Sequence, residues 1–170
     1  MDNIIKKRVI TRVGDIFCIE LKKQKVFFQF IAVDRSELNS ATIRVFQKKY
    51  SQDYVFDAEE VINDEVMFYA HTCLQPGLKQ GIWTKVGKSK DVGDIDKVLF
   101  RITHSYTAQC LKSYRWWIGG INKEYIMVGE LTEEYKRKTH MGWVVPPTDI
   151  VEKNRVWRIS RCYTILTLCG

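Results

Sequence analysis

Alternation of apolar and polar residues with a period of two constrains this chain most. In residues 15–21, Phe17, Ile19 and Leu21 fall on one face of an extended strand, and Cys18 and Glu20 fall on the other. Residues 26–33 are apolar on almost both faces, which predicts a central strand covered on each side. The polar, basic segment 22–25 joins the two runs, and Gly14-Asp15 leads into the first. Together they predict a β-hairpin that opens a β-rich domain.

Similar extended runs recur to the end of the chain. We predict further strands at residues 41–47, 66–73, 81–86, 97–104, 112–118, 124–131, 155–160 and 162–168, with a short extended piece at 142–145. In residues 97–104, Val98, Phe100 and Ile102 are expected inside, and Lys97 and Arg101 outside. The extended run from residue 66 is expected to end near Cys73, where Pro76-Gly77 breaks it. Short helices are predicted at residues 57–63, at 132–138 with Thr132 as N-cap, and from residue 148.

These elements predict one mainly β domain spanning residues 1–170. The class is β-rich α+β, built as a strongly curved antiparallel sheet or partly open barrel with two or three short helices. Residues 1–10 lack the apolar core of a signal peptide, and no window is long and apolar enough to span a bilayer. Five cysteines without a CxxC pair are typical of a reducing compartment, so a cytoplasmic location is expected.

The charge is positive and uneven. With 27 Lys and Arg against 20 Asp and Glu, the net charge is +7. Residues 53–65 contain six acids and no Lys or Arg, so the rest of the chain is more basic than the total indicates. A basic surface favours an acidic or nucleic-acid partner, or it serves solubility alone. The acidic stretch is interpreted as a solvated helix face, or as a patch for a basic partner.

Candidate catalytic and metal-binding groups are few. His71 and Cys73 lie two apart on a predicted strand, as a minimal base and nucleophile would, but ordinary packing is the favoured interpretation. The histidines and cysteines lack zinc-site spacing, and no metal or cofactor is expected. The segment Gly87-Lys88-Ser89-Lys90 lacks the upstream glycine of a phosphate-binding loop and is interpreted as a basic turn.

Bases and aromatics interleave between residues 106 and 120. Tyr106, Lys112, Tyr114 and Arg115 precede the adjacent Trp116 and Trp117, which must point to opposite faces of a strand. Exposed Trp, Tyr and Arg dominate protein-interface hot spots, and they also suit base stacking beside phosphates. Burial of both tryptophans in a two-sided sheet stays open as the alternative.

Residues 13–21 and the aromatic strand at 26–34, with the extended region after them, resemble the immunity protein 26 family of bacterial polymorphic toxin systems. The resemblance covers about the first 100 residues. It implies an intracellular, non-catalytic protein that binds a cognate toxin and blocks it.

Two hypotheses about function therefore lead. The first is an immunity-type binding protein; the alternative is a basic nucleic-acid-binding β module. A cysteine-dependent enzyme centred on His71 and Cys73 is the third. The expected partner-binding residues form either an aromatic-basic group or a rival acidic group. The aromatic-basic group comprises Tyr114, Arg115, Trp116 and Trp117, and the acidic group comprises Asp57, Glu59, Glu60 and Asp64.

Overall fold

The computed structural model describes residues 9–104 and 113–156, which form two β-sheets with four short α-helices. The strands are β1 (Asp15–Glu20), β2 (Lys25–Asp34), β3 (Ser40–Phe46), β4 (Val66–Thr72), β5 (Thr84–Lys88), β6 (Leu99–Ile102), β7 (Trp116–Gly120), β8 (Ile126–Gly129), β9 (Thr139–Met141) and β10 (Val144–Val145). The first sheet has strand order β10-β4-β3-β2-β1-β5, and the second has order β8-β7-β6-β9. The helices are α1 (Ala58–Ile62), α2 (Leu74–Lys79), α3 (Glu133–Lys138) and α4 (Pro147–Val156). The β-rich α+β class is confirmed.

The opening hairpin forms as predicted. β1 and β2 pair antiparallel from Ile16 opposite Gln29 to Glu20 opposite Lys25. The Leu21 N–H donates to the Gln24 carbonyl at 2.8 Å and closes the tip. β2 lies between β1 and β3 in the sheet, and core clusters on both faces bury its nearly continuous apolar sequence.

The hydrophobic core divides into three clusters around the two sheets. On one face of the first sheet, Phe17 and Phe28 stack with ring centroids 5.0 Å apart, and α2 and α4 help to cover them. On the opposite face, Phe27 and Phe46 pack beneath α1. Between the sheets, Ile31 packs with its neighbours against β6. Burial on both faces explains why period-two alternation fades in β2.

The predicted sheet shape is wrong. The described strands divide between two sheets instead of forming one strongly curved sheet or partly open barrel, and neither sheet closes on itself. Neither sheet is purely antiparallel, because β10 pairs parallel with β4 and β9 pairs parallel with β6. These added strands are two and three residues long, too short for a periodic pattern to reveal their partners.

The short helices were predicted well. Asp57 caps α1, Thr132 caps α3 through the Tyr135 N–H, and α4 covers the segment expected from residue 148. The described residues hold one more α-helix than predicted, α2. Residues 155 and 156 belong to α4, so the strand predicted at 155–160 is wrong at its start. Residues 157–160 and the strand predicted at 162–168 lie outside the described residues.

The extended run ends at Thr72, near the predicted point, but Pro76 and Gly77 are not a break between elements; they lie inside α2. Proline is tolerated in a first helical turn, where its missing N–H leaves no bond unmade. Gly77 packs directly on Trp83, and a Cβ there would lie 2.1 Å from the indole ring. The indole N–H donates to the Leu74 carbonyl at 3.1 Å. Trp83 therefore anchors both Leu74 and Gly77 of α2 to the core.

Arg101 is also placed differently from the prediction. It is buried, and its guanidinium donates to the carbonyl oxygen of Lys136 at 3.0 Å and to Thr139. The positive charge therefore holds the C-terminal end of α3 against β6, a position that the helix dipole favours. No helix within residues 9–104 and 113–156 is long and apolar enough to cross a membrane.

Candidate functional site

The adjacent tryptophans of β7 differ in environment. Trp116 is only 8% exposed, its indole N–H donates to the Ser113 carbonyl at 2.9 Å, and the Arg101 guanidinium lies 5.9 Å from its ring centroid. Trp117, on the opposite face of the strand, is half-buried. Trp116 is therefore an interior residue and does not belong to the exposed part of the predicted group. Tyr106 and Lys112 lie outside the described residues.

Trp117 is held in place by two neighbours. The Arg115 guanidinium lies 5.9 Å from its ring centroid, within cation–π range, and the His104 ring meets it edge-on with centroids 5.2 Å apart. Arg115 is itself anchored, because its backbone carbonyl accepts a hydrogen bond from the Thr103 hydroxyl at 2.8 Å. The half-exposed indole is thus oriented before any partner arrives, so binding would immobilise little further.

β8, beside β7, presents an uncharged apolar edge. Trp117 pairs with Met127 across the two strands, and among the described residues β8 pairs with β7 alone. Ile126 is 70% exposed and Met127 56% exposed. We call Tyr114, Arg115, Trp117, Ile126 and Met127 the β8-edge surface.

The edge strands β5 and β8 differ in charge. Natural edge strands are commonly guarded by charged side chains, lysine above all, because their unpaired backbone groups recruit other strands. β5, at one edge of the first sheet, carries Lys85 and Lys88, whereas β8, at one edge of the second, carries no charge. An unguarded apolar edge is a feature of strands that another chain covers.

The acidic group is largely engaged in local structure. The Asp57 carboxylate accepts the Glu59 and Glu60 N–H groups at 2.8 and 3.1 Å, as an N-cap does. Glu60 pairs with Lys48 and accepts the Tyr54 hydroxyl, and the bond from Lys48 lowers the pKa of Glu60.

The fourth acid is engaged as well. Asp64 accepts the Lys48 N–H at 2.6 Å and the Glu65 N–H at 2.8 Å. Glu59 alone in this group has a side chain without a hydrogen bond within the described residues. The acidic side chains therefore mainly form hydrogen bonds that stabilise their own loop and helix.

His71 and Cys73 do not act as a pair in this structure. His71 is fully buried, and its ring nitrogens lie 2.7 Å from the Gly142 carbonyl and 3.1 Å from the Asp34 carboxylate. Cys73 is exposed and is the N-cap residue that precedes α2. Neither imidazole nitrogen is available to Cys73 as a base. Within residues 9–104 and 113–156, no three His, Cys, Asp or Glu side chains are grouped as metal ligands.

Instead, His71 belongs to a buried polar link between the sheets that sequence reasoning missed. Because a carbonyl only accepts, His71 Nδ1 carries a hydrogen for Gly142, and one further proton lies between Nε2 and Asp34 Oδ2. Asp34 Oδ1 accepts the Ser36 and Asn122 N–H groups at 3.0 and 3.1 Å. Asn122 and Gly142 flank strands of the second sheet, so Asp34 and His71 join the two sheets.

This link influences neighbouring acids. Burial raises the pKa of Glu37, and attraction from His71 opposes that shift. Burial, followed by repulsion from Glu37 and Asp34, raises the pKa of Tyr125. The ring of His71 also packs on Phe100, with centroids 4.1 Å apart, so the polar link is enclosed by the core between the sheets. Its geometry indicates a structural role.

No protein-family model, curated protein or solved structure matches this chain.

Proposed function

We propose that this chain is a non-catalytic immunity-type protein that binds and neutralises a cognate bacterial toxin in the cytoplasm through its β8-edge surface. The observation that carries the proposal is the uncharged, exposed edge strand whose Met127 lies beside the preorganised Trp117. The resemblance of residues 13–34 to the immunity protein 26 family supplies the class of partner.

The chemistry of this surface suits a protein partner. Tryptophan, tyrosine and arginine carry a large share of interface binding energy, and methionine adapts to irregular apolar surfaces. A strand from the toxin can add to β8 by main-chain hydrogen bonding, with Met127 and Trp117 as side-chain anchors on one face and Ile126 on the other. This mode needs no cofactor and no catalytic group.

The acidic group is the rival contact for the same function. Its supporting observation is the exposure of Asp57, Glu59 and Glu60 on one short helix. Because Asp57 and Glu60 already bind partners within their own loop, Glu59 is the residue through which this surface is best tested.

The experiment uses the product of the adjacent reading frame as the candidate toxin. Its toxicity is measured with and without co-expression of this chain, and affinity is measured by calorimetry. We expect Trp117→Ala to weaken binding about 30-fold, the magnitude of a hot spot of about 2 kcal/mol. Met127→Lys should weaken binding at least about tenfold, because it places a charge on the edge.

Ile10→Lys is the matched control, since Ile10 is 66% exposed and belongs neither to the β8-edge surface nor to the acidic group. Its affinity should equal that of the unmodified protein. If Glu59→Lys abolishes binding while the β8-edge variants do not, the acidic group is the contact. If the adjacent product is not neutralised by this chain, the proposed function is wrong.

A further inference from the structure

A basic groove lies at the edge of the first sheet, where β1 begins and β5 ends. It has a volume of about 370 Å³ and is open to solvent. Its charged lining consists of Arg12, Lys85, Lys88 and Lys90 around a single acid, Asp15. These residues are distinct from the β8-edge surface.

The positive charge of the groove is mostly uncompensated. Asp15 is buried and pairs with Lys85 at 2.7 Å. Within the described part of the chain, no salt bridge engages Arg12, Lys88 or Lys90, all of which are exposed. The groove therefore carries three cations in excess. Protection of the β5 edge accounts for Lys85 and Lys88, but Arg12 and Lys90 lie outside that strand.

Buried hydrogen bonds fix the two walls of the groove. Gly14 follows the Arg12 wall, and its carbonyl accepts the Ser89 N–H of the lysine wall at 2.9 Å. Gly14 has a φ of +97°, and a Cβ there would lie 2.5 Å from the Ser89 carbonyl oxygen, so only glycine permits this approach.

Hydrogen bonds from Gln29 constrain the same two walls. The buried amide of Gln29 donates to the carbonyl oxygens of Gly14, Ser89 and Asp91 at 3.1, 3.2 and 3.0 Å. Its own oxygen accepts from Arg44 at 2.8 Å. One side chain in the central strand β2 thereby ties both walls together, and the spacing of their backbones is set before any ligand arrives.

We propose that this groove binds the phosphate backbone of nucleic acid. Three cations without a salt bridge along an open groove can each neutralise a phosphate, whereas a small ligand would be enclosed on more sides. The groove lining contains no aromatic side chain, so binding is independent of base sequence. The site gives the nucleic-acid hypothesis a location away from the aromatic residues.

The test measures fluorescence anisotropy of a labelled oligothymidylate of about 20 nucleotides and of a duplex of the same length, between about 20 and 200 mM KCl. Neutralising three phosphates predicts a slope of log K against log salt of about −2 for the single strand and about −3 for the duplex. The probe bound more tightly identifies the form of nucleic acid that the groove prefers.

The decisive comparison is between two triple variants of equal charge. Arg12→Glu with Lys88→Glu and Lys90→Glu lowers the net charge from +7 to +1, and so does Lys22→Glu with Lys23→Glu and Lys79→Glu, all exposed residues outside the groove. We expect the groove variant to lose at least about tenfold in affinity at low salt and the control to lose less than about threefold. Circular dichroism checks folding, and the corresponding glutamine triple, which should flatten the salt slope, replaces the glutamate triple if that variant fails to fold.

Absence of binding to either probe at low salt overturns the proposal, as does an equal loss in both triples. Binding of polyglutamate but not of nucleic acid would also overturn it and assign the groove to an acidic protein. The proposal stands apart from toxin neutralisation, since neither triple changes the β8-edge surface.

Discussion

Replacing Asp34 with alanine is expected to lower the free energy of unfolding by about 3–5 kcal/mol, the cost of breaking a buried pair by removing one partner. Asp34 and His71 are both fully buried, and the pair joins the two sheets. Alanine would leave the Asn122 N–H without its acceptor and His71 Nε2 without its partner. Each buried group left unsatisfied costs about 1–3 kcal/mol, which is consistent with that total.

Asparagine at position 34 is the matched control. Its oxygen can accept the same Ser36 and Asn122 N–H groups as Asp34 Oδ1 does. Its amide can donate to Nε2 of a neutral His71, which keeps its Nδ1 hydrogen on the Gly142 carbonyl. Because every donor and acceptor finds a partner, we expect Asp34→Asn to cost no more than about 2 kcal/mol.

Urea denaturation followed by tryptophan fluorescence gives both free energies of unfolding. The structural role of this pair is refuted if Asp34→Ala costs less than about 1 kcal/mol, or if alanine and asparagine cost the same. A double-mutant cycle with His71→Ala adds a direct measure, because residues in one hydrogen-bond network couple by about 0.5–3 kcal/mol. A coupling energy near zero would show that the two side chains do not depend on each other.

Three further predictions concern other parts of the fold. Burial, then repulsion from Arg101 and Lys153, lowers the pKa of His140 to about 4. The unfolded state therefore binds this proton at a higher pH than the folded state, and the free energy of unfolding should fall as the pH drops from about 6.5 to about 4. A His140→Gln variant should lose about 2–3 kcal/mol less over that range in denaturation experiments, and identical profiles would contradict the assignment. Gly77→Ala should destabilise by about 1–3 kcal/mol because its Cβ would overlap Trp83, whereas Lys79→Ala, exposed in the same helix, should be nearly neutral in thermal unfolding. Cys73 is exposed while burial raises the pKa of Cys18 to about 11, so iodoacetamide followed by peptide mass spectrometry should label Cys73 and spare Cys18 in the native protein; the reverse order would refute the burial of Cys18.

Three of the five residues of the β8-edge surface were predicted from the sequence. Tyr114, Arg115 and Trp117 were singled out by residue type, and adjacent positions on a strand had to face opposite ways. Which tryptophan faces inward depends on what packs against each face of β7, so the pattern left the choice open. Ile126 and Met127 were missed because nothing in an apolar tetrapeptide tells whether its strand lies at the centre or the edge of a sheet.

The link between Asp34 and His71 illustrates the same limit. Its members are 37 residues apart in the chain, and the spacing of neither residue indicates the other. A fully buried aspartate becomes recognisable only when its partners are known, since burial is a property of the assembled core.

Local sequence specifies the hairpin of β1 and β2, the capped starts of α1 and α3, and the β-rich class. These features follow from interactions between near neighbours, namely alternation, turn residues and side-chain caps. Long-range contacts in the folded chain divide the strands between two mixed sheets, place β8 and β5 at edges, and bring Arg12 opposite Lys88 and Lys90 across one groove. Strand order and the meeting of distant side chains depend on contacts between segments far apart in the chain, and residue periodicity does not encode these contacts.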